Sequence, residues 1–240
     1  MHSFYIDGKG AAGMTARLLG EEARHACRVL RMKPGEEFCA LDGERRFLAE
    51  FVQLGDGAAT ARLKEELPDT EAPVRLTVYQ GVAKSDKLEL IAQKLTELGA
   101  EALVPVRLSR SVAKLDGAAR VERLEKIARE AAKQCCRARA MRVTAPLDFG
   151  RALGEMAGHD LLLVPWEEKS GFGMKDARAA FPEARDIGLV IGPEGGIAPE
   201  EVERMEAVGA RCVTLGPRIL RAETAAIAAA ALVMSLWGDV

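Results

Sequence analysis

Short alternating runs of apolar and polar positions characterise residues 1–70. Three of these runs predict β-strands: Glu37–Leu41, Arg45–Val52 and Ala58–Leu63. Asp42-Gly43, a typical hairpin turn, separates the first two strands, and Gly55-Asp56-Gly57 precedes the third. One helix is predicted ahead of the strands, over Gly20–Leu30. Because a sheet of short strands avoids exposed edges by closing on itself, the pattern predicts a small β-barrel.

A polar segment with two prolines, Pro68–Pro73, predicts a linker, and a different pattern follows it. Apolar runs predict strands at Val74–Gln80, Leu103–Val106, Leu161–Pro165, Ile187–Gly192 and Cys212–Gly216. Amphipathic or Ala-rich segments predict helices at Asp86–Leu98, Ala119–Arg139, Pro199 to about Gly209, and Thr224–Trp237. This alternation predicts a mostly parallel α/β sheet with helices on both faces, in a second domain over residues 71–240.

Composition changes this picture little. The chain has 240 residues, 48% of them hydrophobic, which is enough for a sizeable core. No apolar run reaches the roughly 18 residues of a membrane span, and the N-terminus lacks the pattern of a signal peptide. The five cysteines show no CxxC spacing, so we expect free thiols, no metal site and a cytoplasmic protein without a membrane partner.

The charge distribution is uneven. The net charge of the chain is −2, yet eleven basic and four acidic residues between Arg107 and Arg142 give that segment a charge of +7. A concentrated positive region on an acidic protein can steer a polyanion such as RNA to one place. The alternative is a solvated helix face without a binding role.

Three loops follow predicted strands at their carboxyl ends, where open α/β sheets bind ligands. They are Val164–Glu167, Ile191–Gly196 and Leu215–Thr224. The second contains Gly192, Gly195 and Gly196, which let the backbone approach a ligand closely. The alternative is a tight connection that needs glycine only for its turn. The loop matches neither GxGxxG nor a phosphate-binding loop.

The third loop concentrates charge beside apolar residues. Arg218, Arg221 and Glu223 lie within six positions, next to Ile219 and Leu220. A charge drawn toward apolar surroundings needs a partner or a ligand. Arg221 and Glu223 therefore either form a structural ion pair or hold a substrate.

These two C-terminal motifs carry a family resemblance. Leu189–Gly196 and Leu215–Ala225 resemble the SPOUT superfamily of methyltransferases and, more narrowly, the bacterial 16S ribosomal RNA uridine N3-methyltransferases. The resemblance extends over the whole chain. His25–Arg31 is similar to part of the PUA-like RNA-binding barrel of that family, and Lys94–Gly99 is similar to part of its first catalytic-domain helix.

The resemblance implies properties that spacing alone does not show. It implies a C-terminal trefoil knot, a cofactor bound within that knot, and a homodimer with the active site close to the subunit interface. The cofactor is S-adenosylmethionine. The residues implied to bind it are Leu163, Val164, Pro165, Ile191, Gly192, Pro193, Glu194, Gly195, Gly196, Leu215, Gly216, Arg218, Ile219, Leu220, Thr224 and Ala225.

Methylation of uracil N3 calls for particular catalytic groups. The N3 lone pair is available only once the proton has left, so the site needs a general base or donors that stabilise the anion. Arg221 is our candidate for stabilising charge on O2 and O4. Glu223 or Glu194 is our candidate for the base, although Glu194 could instead brace its own glycine loop.

The expected substrate is 16S ribosomal RNA or the small ribosomal subunit, and the target base has to leave its stack. Phosphate contacts would position the RNA without reading its sequence. The candidate RNA-binding residues are His25, Arg28, Arg31, Lys84, Lys87, Lys94, Arg110, Lys126, Lys133, Gln134 and Arg137. For His25, a half-buried helix position is an equal alternative.

Three other functions remain open at the level of sequence. A SPOUT enzyme could methylate transfer RNA or a ribose hydroxyl instead, although the barrel ahead of the catalytic domain favours the uridine N3 enzymes. A non-catalytic RNA-binding assembly factor could keep the fold, but it would not need the intact glycine loop. A dinucleotide-dependent oxidoreductase is disfavoured because the glycine loop that follows a buried-type strand, Ile191–Gly196, comes late in the chain.

Overall fold

The structure is a computed structural model that describes residues 1–55, 58–112, 117–168 and 171–240. The expected turn at Asp56-Gly57 and the basic residue Lys114 lie outside the described residues. The chain forms two compact units. The first comprises Met1–Glu71 together with Arg129–Ala140, and the second comprises Ala72–Ala128 and Met141–Val240. Arg129–Ala140 thus belongs to the first unit, whereas the sequence pattern places it in the second domain.

The first unit is built on a five-stranded sheet. Its strands are β1 (Ser3–Tyr5), β2 (Thr15–Leu18), β3 (Glu37–Leu41), β4 (Arg46–Gly55) and β5 (Ala58–Leu67). Their order is β1-β3-β4-β5-β2, antiparallel except for the parallel β1–β3 pair. Just beyond β1, the Asp7 N–H donates to the Arg17 carbonyl of β2, 2.8 Å away. This bond links the two edge strands, so the sheet curls into the predicted barrel-like form.

The helix predicted over Gly20–Leu30 is present in the barrel unit. It consists of α1 (Gly20–Arg24) followed directly by one π-helical turn at His25–Val29. Four phenylalanines, the largest fully buried side chains of the unit, form its core: Phe4, Phe38, Phe47 and Phe51. The sequence pattern misses β1 and β2 because three- and four-residue strands are too short to establish a period.

The second unit is built on a parallel sheet. Its strands are β6 (Arg75–Gly81), β7 (Ala102–Arg107), β8 (Arg142–Val143), β9 (Leu147–Asp148), β10 (Leu161–Pro165), β11 (Asp186–Ile191) and β12 (Arg211–Val213). The order is β12-β10-β11-β6-β7-β8, and β9 also pairs with β7. Every one of these pairings is parallel, which confirms the predicted sheet. The last strand ends at Val213 rather than at the predicted Gly216.

The remaining helices are α2 (Ser85–Glu97), α3 (Ala118–Gln134), α4 (Phe149–Met156), α5 (Met174–Ala180), α6 (Pro199–Ala207) and α7 (Ala222–Trp237). In the second unit, α2, α5, α7 and the first part of α3 contribute to one apolar cluster, and α4 and α6 contribute to another. Alternate side chains of the strands belong to these two clusters, so helices cover both faces of the sheet as predicted.

Helix α3 ends earlier than predicted, at Gln134 instead of Arg139. Cys136 has a φ of 59°, a left-handed conformation that cannot continue a helix. Its carbonyl accepts hydrogen bonds from Arg46 Nη1 at 2.9 Å and Thr70 Oγ1 at 3.1 Å. Contacts with residues distant in sequence therefore replace the helical hydrogen bonds that the local pattern predicts.

Candidate functional site

A cavity of about 250 Å³ lies beyond the carboxyl ends of β10, β11 and β12, where the three predicted loops meet. Its lining includes these predicted residues: Pro165, Ile191, Gly192, Pro193, Glu194, Gly196, Leu215, Arg218, Ile219, Leu220, Arg221 and Ala225. Three separate stretches of chain thus converge because parallel strands end at the same edge of the sheet. The cavity has the location expected of a ligand site in this class of fold.

Some residues predicted to bind the cofactor lie elsewhere. Leu163 and Val164 are fully buried in β10, and their side chains pack in the two apolar clusters rather than against the cavity. Gly195, Gly216 and Thr224 belong to the expected loops but do not line the cavity. Strand alternation explains the first two, because residues within a buried strand face the core.

The lining also contains residues that the sequence does not single out for a ligand: Trp166, Glu167, Ile197, Thr214 and Ala222. Trp166 and Glu167 belong to the first predicted loop. The indole Nε1 of Trp166 is buried, and it has no hydrogen-bond partner among the residues that the structure describes. A buried donor of this kind is available to a ligand acceptor.

The glycine loop has little room for side chains. A Cβ on Gly195 would lie 3.1 Å from both the Cβ and the carbonyl oxygen of Arg110. Gly196 has a φ of 75°, and a Cβ there would lie 2.8 Å from Oε1 of Glu167. A Cβ on Gly192 would lie 3.0 Å from the carbonyl carbon of Gly196. The glycines therefore permit a tightly folded backbone that exposes main-chain groups next to the cavity.

The end of β6 packs against the glycine loop, a contact that the sequence pattern does not predict. A Cβ on Gly81 would lie 2.5 Å from both the N and the Cδ of Pro193. The neighbouring Gln80 is fully buried, and its Nε2 donates to the Gly192 carbonyl at 3.1 Å. A polar residue followed by glycine at the end of an apolar strand is the signal that could have indicated this contact.

Arg110, predicted to contact RNA, lies against the same loop. Its Nη1 donates to the carbonyls of Gly195 and Ile197, each at 3.4 Å. The buried Glu201 adds a second brace, because it accepts the N–H groups of Ser109 at 2.8 Å and Ala198 at 3.2 Å. The segment after β7 and the segment that leads into α6 are thereby held together beside the cavity.

Three charged side chains from different elements meet around Lys87; Lys87 and Glu194 line the cavity, whereas Glu223 does not. Lys87 Nζ of α2 lies 3.4 Å from Glu194 Oε1 and 3.3 Å from Glu223 Oε2. The backbone N–H of Lys84 also donates to Glu194 Oε1, at 3.3 Å. The ion pair of Glu223 is therefore with Lys87, not with Arg221 as one sequence interpretation suggested.

These contacts shift two pKa values. Burial by itself raises the pKa of Glu194, but the N–H groups of Glu194 and Lys84 and the ammonium of Lys87 bring it below its ordinary value. Burial by itself lowers the pKa of Lys87, but the carboxylates of Glu223 and Glu194 bring it above its ordinary value. Glu194 is thus ionised at neutral pH and is a weaker base than an unperturbed glutamate.

Lys133 and Arg137 of the first unit, both predicted to contact RNA, have other partners in the structure. Lys133 is buried, and its Nζ lies 3.2 Å from Glu22 Oε1 and 2.8 Å from Glu130 Oε1. Arg137 is also buried, with Nη2 2.7 Å from Glu71 Oε2. Buried side chains with paired charges cannot reach a phosphate, so both residues have a structural role.

The other predicted RNA-binding residues differ in their surroundings. Arg28, Arg31, Lys84, Lys126 and Gln134 are exposed. Lys94 Nζ lies 2.8 Å from Glu97 Oε1 on its own helix. His25 is half-buried, and its ring meets the ring of Phe4 edge-on at 5.7 Å between centroids. The alternatives for His25 were an RNA contact and a half-buried helix position, and the structure shows the half-buried position.

Comparisons with known proteins agree with this fold and site. A family model described as an RNA methyltransferase domain matches residues 70–234, and one described as an RNA methyltransferase PUA domain matches residues 18–64. Fold and site thus define an RNA methyltransferase with a PUA-like N-terminal unit. The chain belongs to the ribosomal RNA small subunit methyltransferase E family, which confirms the predicted relationship to 16S ribosomal RNA methyltransferases.

Named relatives and solved structures cover most of the chain. The family member from Bacillus subtilis is 39% identical over 222 residues, 88% of this chain and 86% of its own length. That from Mycobacterium tuberculosis is 37% identical over 248 aligned positions, 98% of this chain and 92% of its own length.

The crystal structure of the Neisseria gonorrhoeae family member bound to S-adenosylmethionine has a TM-score of 0.89 and 31% identity, over 100% of this chain and 99% of that one. A Legionella pneumophila structure with bound S-adenosylmethionine has a TM-score of 0.88 and 28% identity, over 99% and 98%.

Neither a membrane-spanning helix nor a metal-binding group occurs among the described residues. Within the described ranges, no helix combines the length and apolarity needed to cross a membrane. In the same part of the chain, His, Cys, Asp and Glu side chains form no group of three that could hold a metal ion.

Proposed function

We propose that this protein transfers the methyl group of S-adenosylmethionine to N3 of a uridine in 16S ribosomal RNA of the small ribosomal subunit. The observation that carries the proposal is the cavity where the glycine loop meets the loop of Arg218 and Arg221. The names of the relatives support an RNA of the small ribosomal subunit as substrate. The choice of uracil N3 rests on the resemblance of the C-terminal motifs.

The residues around the cavity fit the cofactor. Backbone groups of the glycine loop and of Leu215–Leu220 can bind an adenine edge or a carboxylate, because the glycines leave no Cβ in the way. The unpaired Nε1 of Trp166 offers a further donor. S-adenosylmethionine supplies an electrophilic methyl group on a sulfonium, and the protein supplies binding and orientation.

Arg221 and Glu223 are the residues to which we assign the chemistry. The guanidinium of Arg221 lines the cavity and would stabilise negative charge on uracil O2 and O4 as the N3 proton leaves. Glu223 would accept that proton. We favour Glu223 over Glu194 because backbone N–H groups occupy the carboxylate of Glu194 and hold its pKa low.

The N-terminal barrel and the exposed cations would position the RNA. We assign RNA binding to the barrel over residues 1–70 and methyl transfer to residues 71–240, with the trefoil knot in the C-terminal segment. The exposed basic or polar side chains that would contact phosphates are Arg28, Arg31, Lys84, Lys126 and Gln134. A looped or single-stranded target would lower the cost of extruding the base.

We also propose that the protein acts in the cytoplasm as a homodimer. Helix α7 carries no charged side chain between Glu223 and its end, yet it exposes Leu232. The homodimer itself rests on the resemblance of the C-terminal motifs, which implies an active site close to the subunit interface. Light scattering on the purified protein should give twice the chain mass, and a monomer at micromolar concentration would contradict this part.

The activity is tested with radiolabelled S-adenosylmethionine and small ribosomal subunits that lack the modification. Digestion of the RNA to nucleosides and mass spectrometry should identify 3-methyluridine. Label in ribose-methylated nucleosides or only in transfer RNA would point to another SPOUT activity. If the folded protein does not bind S-adenosylmethionine, the methyltransferase proposal is wrong and the RNA-binding assembly factor replaces it.

A further inference from the structure

Lys87 occupies a position that its predicted role as a phosphate contact does not explain. Its ammonium group lies between Glu194 of the glycine loop and Glu223 in the first turn of α7. The side chain of Lys87 is 21% exposed, that of Glu223 16% and that of Glu194 32%. Lys87 and Glu223 are therefore partly buried, whereas Glu194 is more exposed, and one cation lies between two anions.

This arrangement limits what Lys87 can offer to RNA. Two carboxylates lie 3.3 and 3.4 Å from the ammonium and neutralise its charge, although Glu223 Oε2 has no hydrogen-bond partner among the described residues. The three groups together carry a charge of −1, which would repel a phosphate rather than attract it. Lys84, three residues earlier, presents an exposed side chain and is better placed for a phosphate.

We propose that Lys87 is a positioning residue for methyl transfer: it orients Glu223, and it ties Glu223 to the cofactor-binding glycine loop through Glu194. The inference rests on the proposed function and assigns Lys87 to the catalytic centre instead of the RNA surface. Lys87 acts through the two carboxylates and does not itself touch the reacting atoms.

The electrostatics of the cavity lead to a measurable consequence. The charged side chains that line the cavity with Lys87 and Glu194 are Arg218 and Arg221 from the third loop and Glu167 from the first. Loss of the Lys87 cation removes an attraction that lowers the pKa of Glu194, so that pKa rises, and it leaves Glu223 without its cation partner. A base that must be ionised becomes protonated at a higher pH, so the acid limb of the rate profile moves upward.

The test compares Lys87→Met, which keeps the aliphatic stem, with Lys87→Arg and Lys84→Met. We expect Lys87→Met to lower kcat by about tenfold or more and to move the acid limb by about one pH unit, with KM for RNA nearly unchanged. Lys87→Arg should restore most of kcat. Lys84→Met should raise KM for RNA and leave the pH profile in place.

Circular dichroism and thermal unfolding show whether each variant folds. If Lys87→Met does not fold, the kcat and pH profile of Lys87→Arg are compared with those of the wild type instead. Titration of ¹³C-labelled glutamate carboxyls by NMR provides a readout without turnover. The Glu194 signal should titrate at a higher pH in Lys87→Met than in the wild type.

An unchanged Glu194 titration overturns the inference, as does a raised KM with an unaltered pH profile. The inference and the proposed function fail separately. A wild-type protein that methylates no RNA contradicts the function, whereas the NMR titration still decides the role of Lys87.

Discussion

The Nζ atom of Lys87 lies 3.3 Å from Oε2 of Glu223, although the two residues belong to α2 and α7. Helices α2 and α7 both pack into the apolar cluster on one face of the parallel sheet. Their packing therefore brings a lysine from the first helix of the second unit to a glutamate of the last. The contact connects the fold to the chemistry, because Glu223 lies in the first turn of the helix that follows the loop of Arg221.

Replacement of Gly195 by valine should weaken S-adenosylmethionine binding by about tenfold or more. A Cβ there would press on the Cβ and carbonyl of Arg110, and overpacking of this kind typically costs about 1–3 kcal/mol. Calorimetric titration measures the effect. Gly154→Val in α4, where a Cβ meets nothing within 4 Å, is the matched control. Arg221→Ala should retain binding, since Arg221 is assigned to the substrate.

Loss of binding in Arg221→Ala together with normal binding in Gly195→Val would contradict these assignments. It would place the cofactor on the arginine loop and leave the glycine loop with a structural role.

Gly81→Ala should destabilise the second unit by about 1–3 kcal/mol. The new Cβ would lie 2.5 Å from the backbone N of Pro193, so the glycine loop or the end of β6 would have to move. Urea unfolding measures the loss. In contrast, Gly154→Ala should be neutral or stabilising by up to about 1 kcal/mol, because alanine favours a helix. Equal unfolding free energies of Gly81→Ala and Gly154→Ala would show that the glycine loop accommodates the new Cβ without a loss of stability.

Arg137→Ala should destabilise the protein by about 3 kcal/mol or more, because it leaves the buried carboxylate of Glu71 without its guanidinium partner. Arg139→Ala removes an exposed arginine two residues later and should cost less than about 0.5 kcal/mol. Chemical denaturation measures the unfolding free energies of Arg137→Ala and Arg139→Ala. A variant with normal stability and weak RNA binding would instead restore Arg137 as an RNA contact.

Asp42→Asn should make the stability of the barrel less dependent on pH. Burial raises the pKa of Asp42, but the N–H groups of Arg45, Gly10 and Glu44 outweigh it and hold the pKa below the ordinary value of 3.8. A lowered folded-state pKa contributes stability above the ordinary value, and this contribution disappears as pH falls through the folded-state pKa.

The difference in unfolding free energy between the wild type and Asp42→Asn should therefore be about 1–3 kcal/mol at pH 7 and should shrink below about pH 4. Asp7→Asn, at an exposed position, controls for loss of charge. A difference that stays constant with pH would exclude an ionised Asp42 as its cause.

Local signals in the sequence predict much of this fold. Apolar runs bounded by glycine or proline gave the long strands of the parallel sheet, and Asp42-Gly43 gave the hairpin between β3 and β4. The predicted binding loops line the cavity because loops after parallel strands share one edge of the sheet. The shortest strands, such as β8 and β9, are not predicted because two residues are too few to show an alternation of apolar and polar positions.

The sequence by itself determined the fold class, the loops that form the site and, through its motifs, the family. Such features depend on neighbouring residues or on spacing along the chain. Only the tertiary structure decided that Lys87 joins Glu194 and Glu223, that Arg137 is buried against Glu71, and that Gly81 supports the glycine loop. A charge or a glycine has the same local pattern whatever it contacts, and its partner is chosen by packing between distant segments.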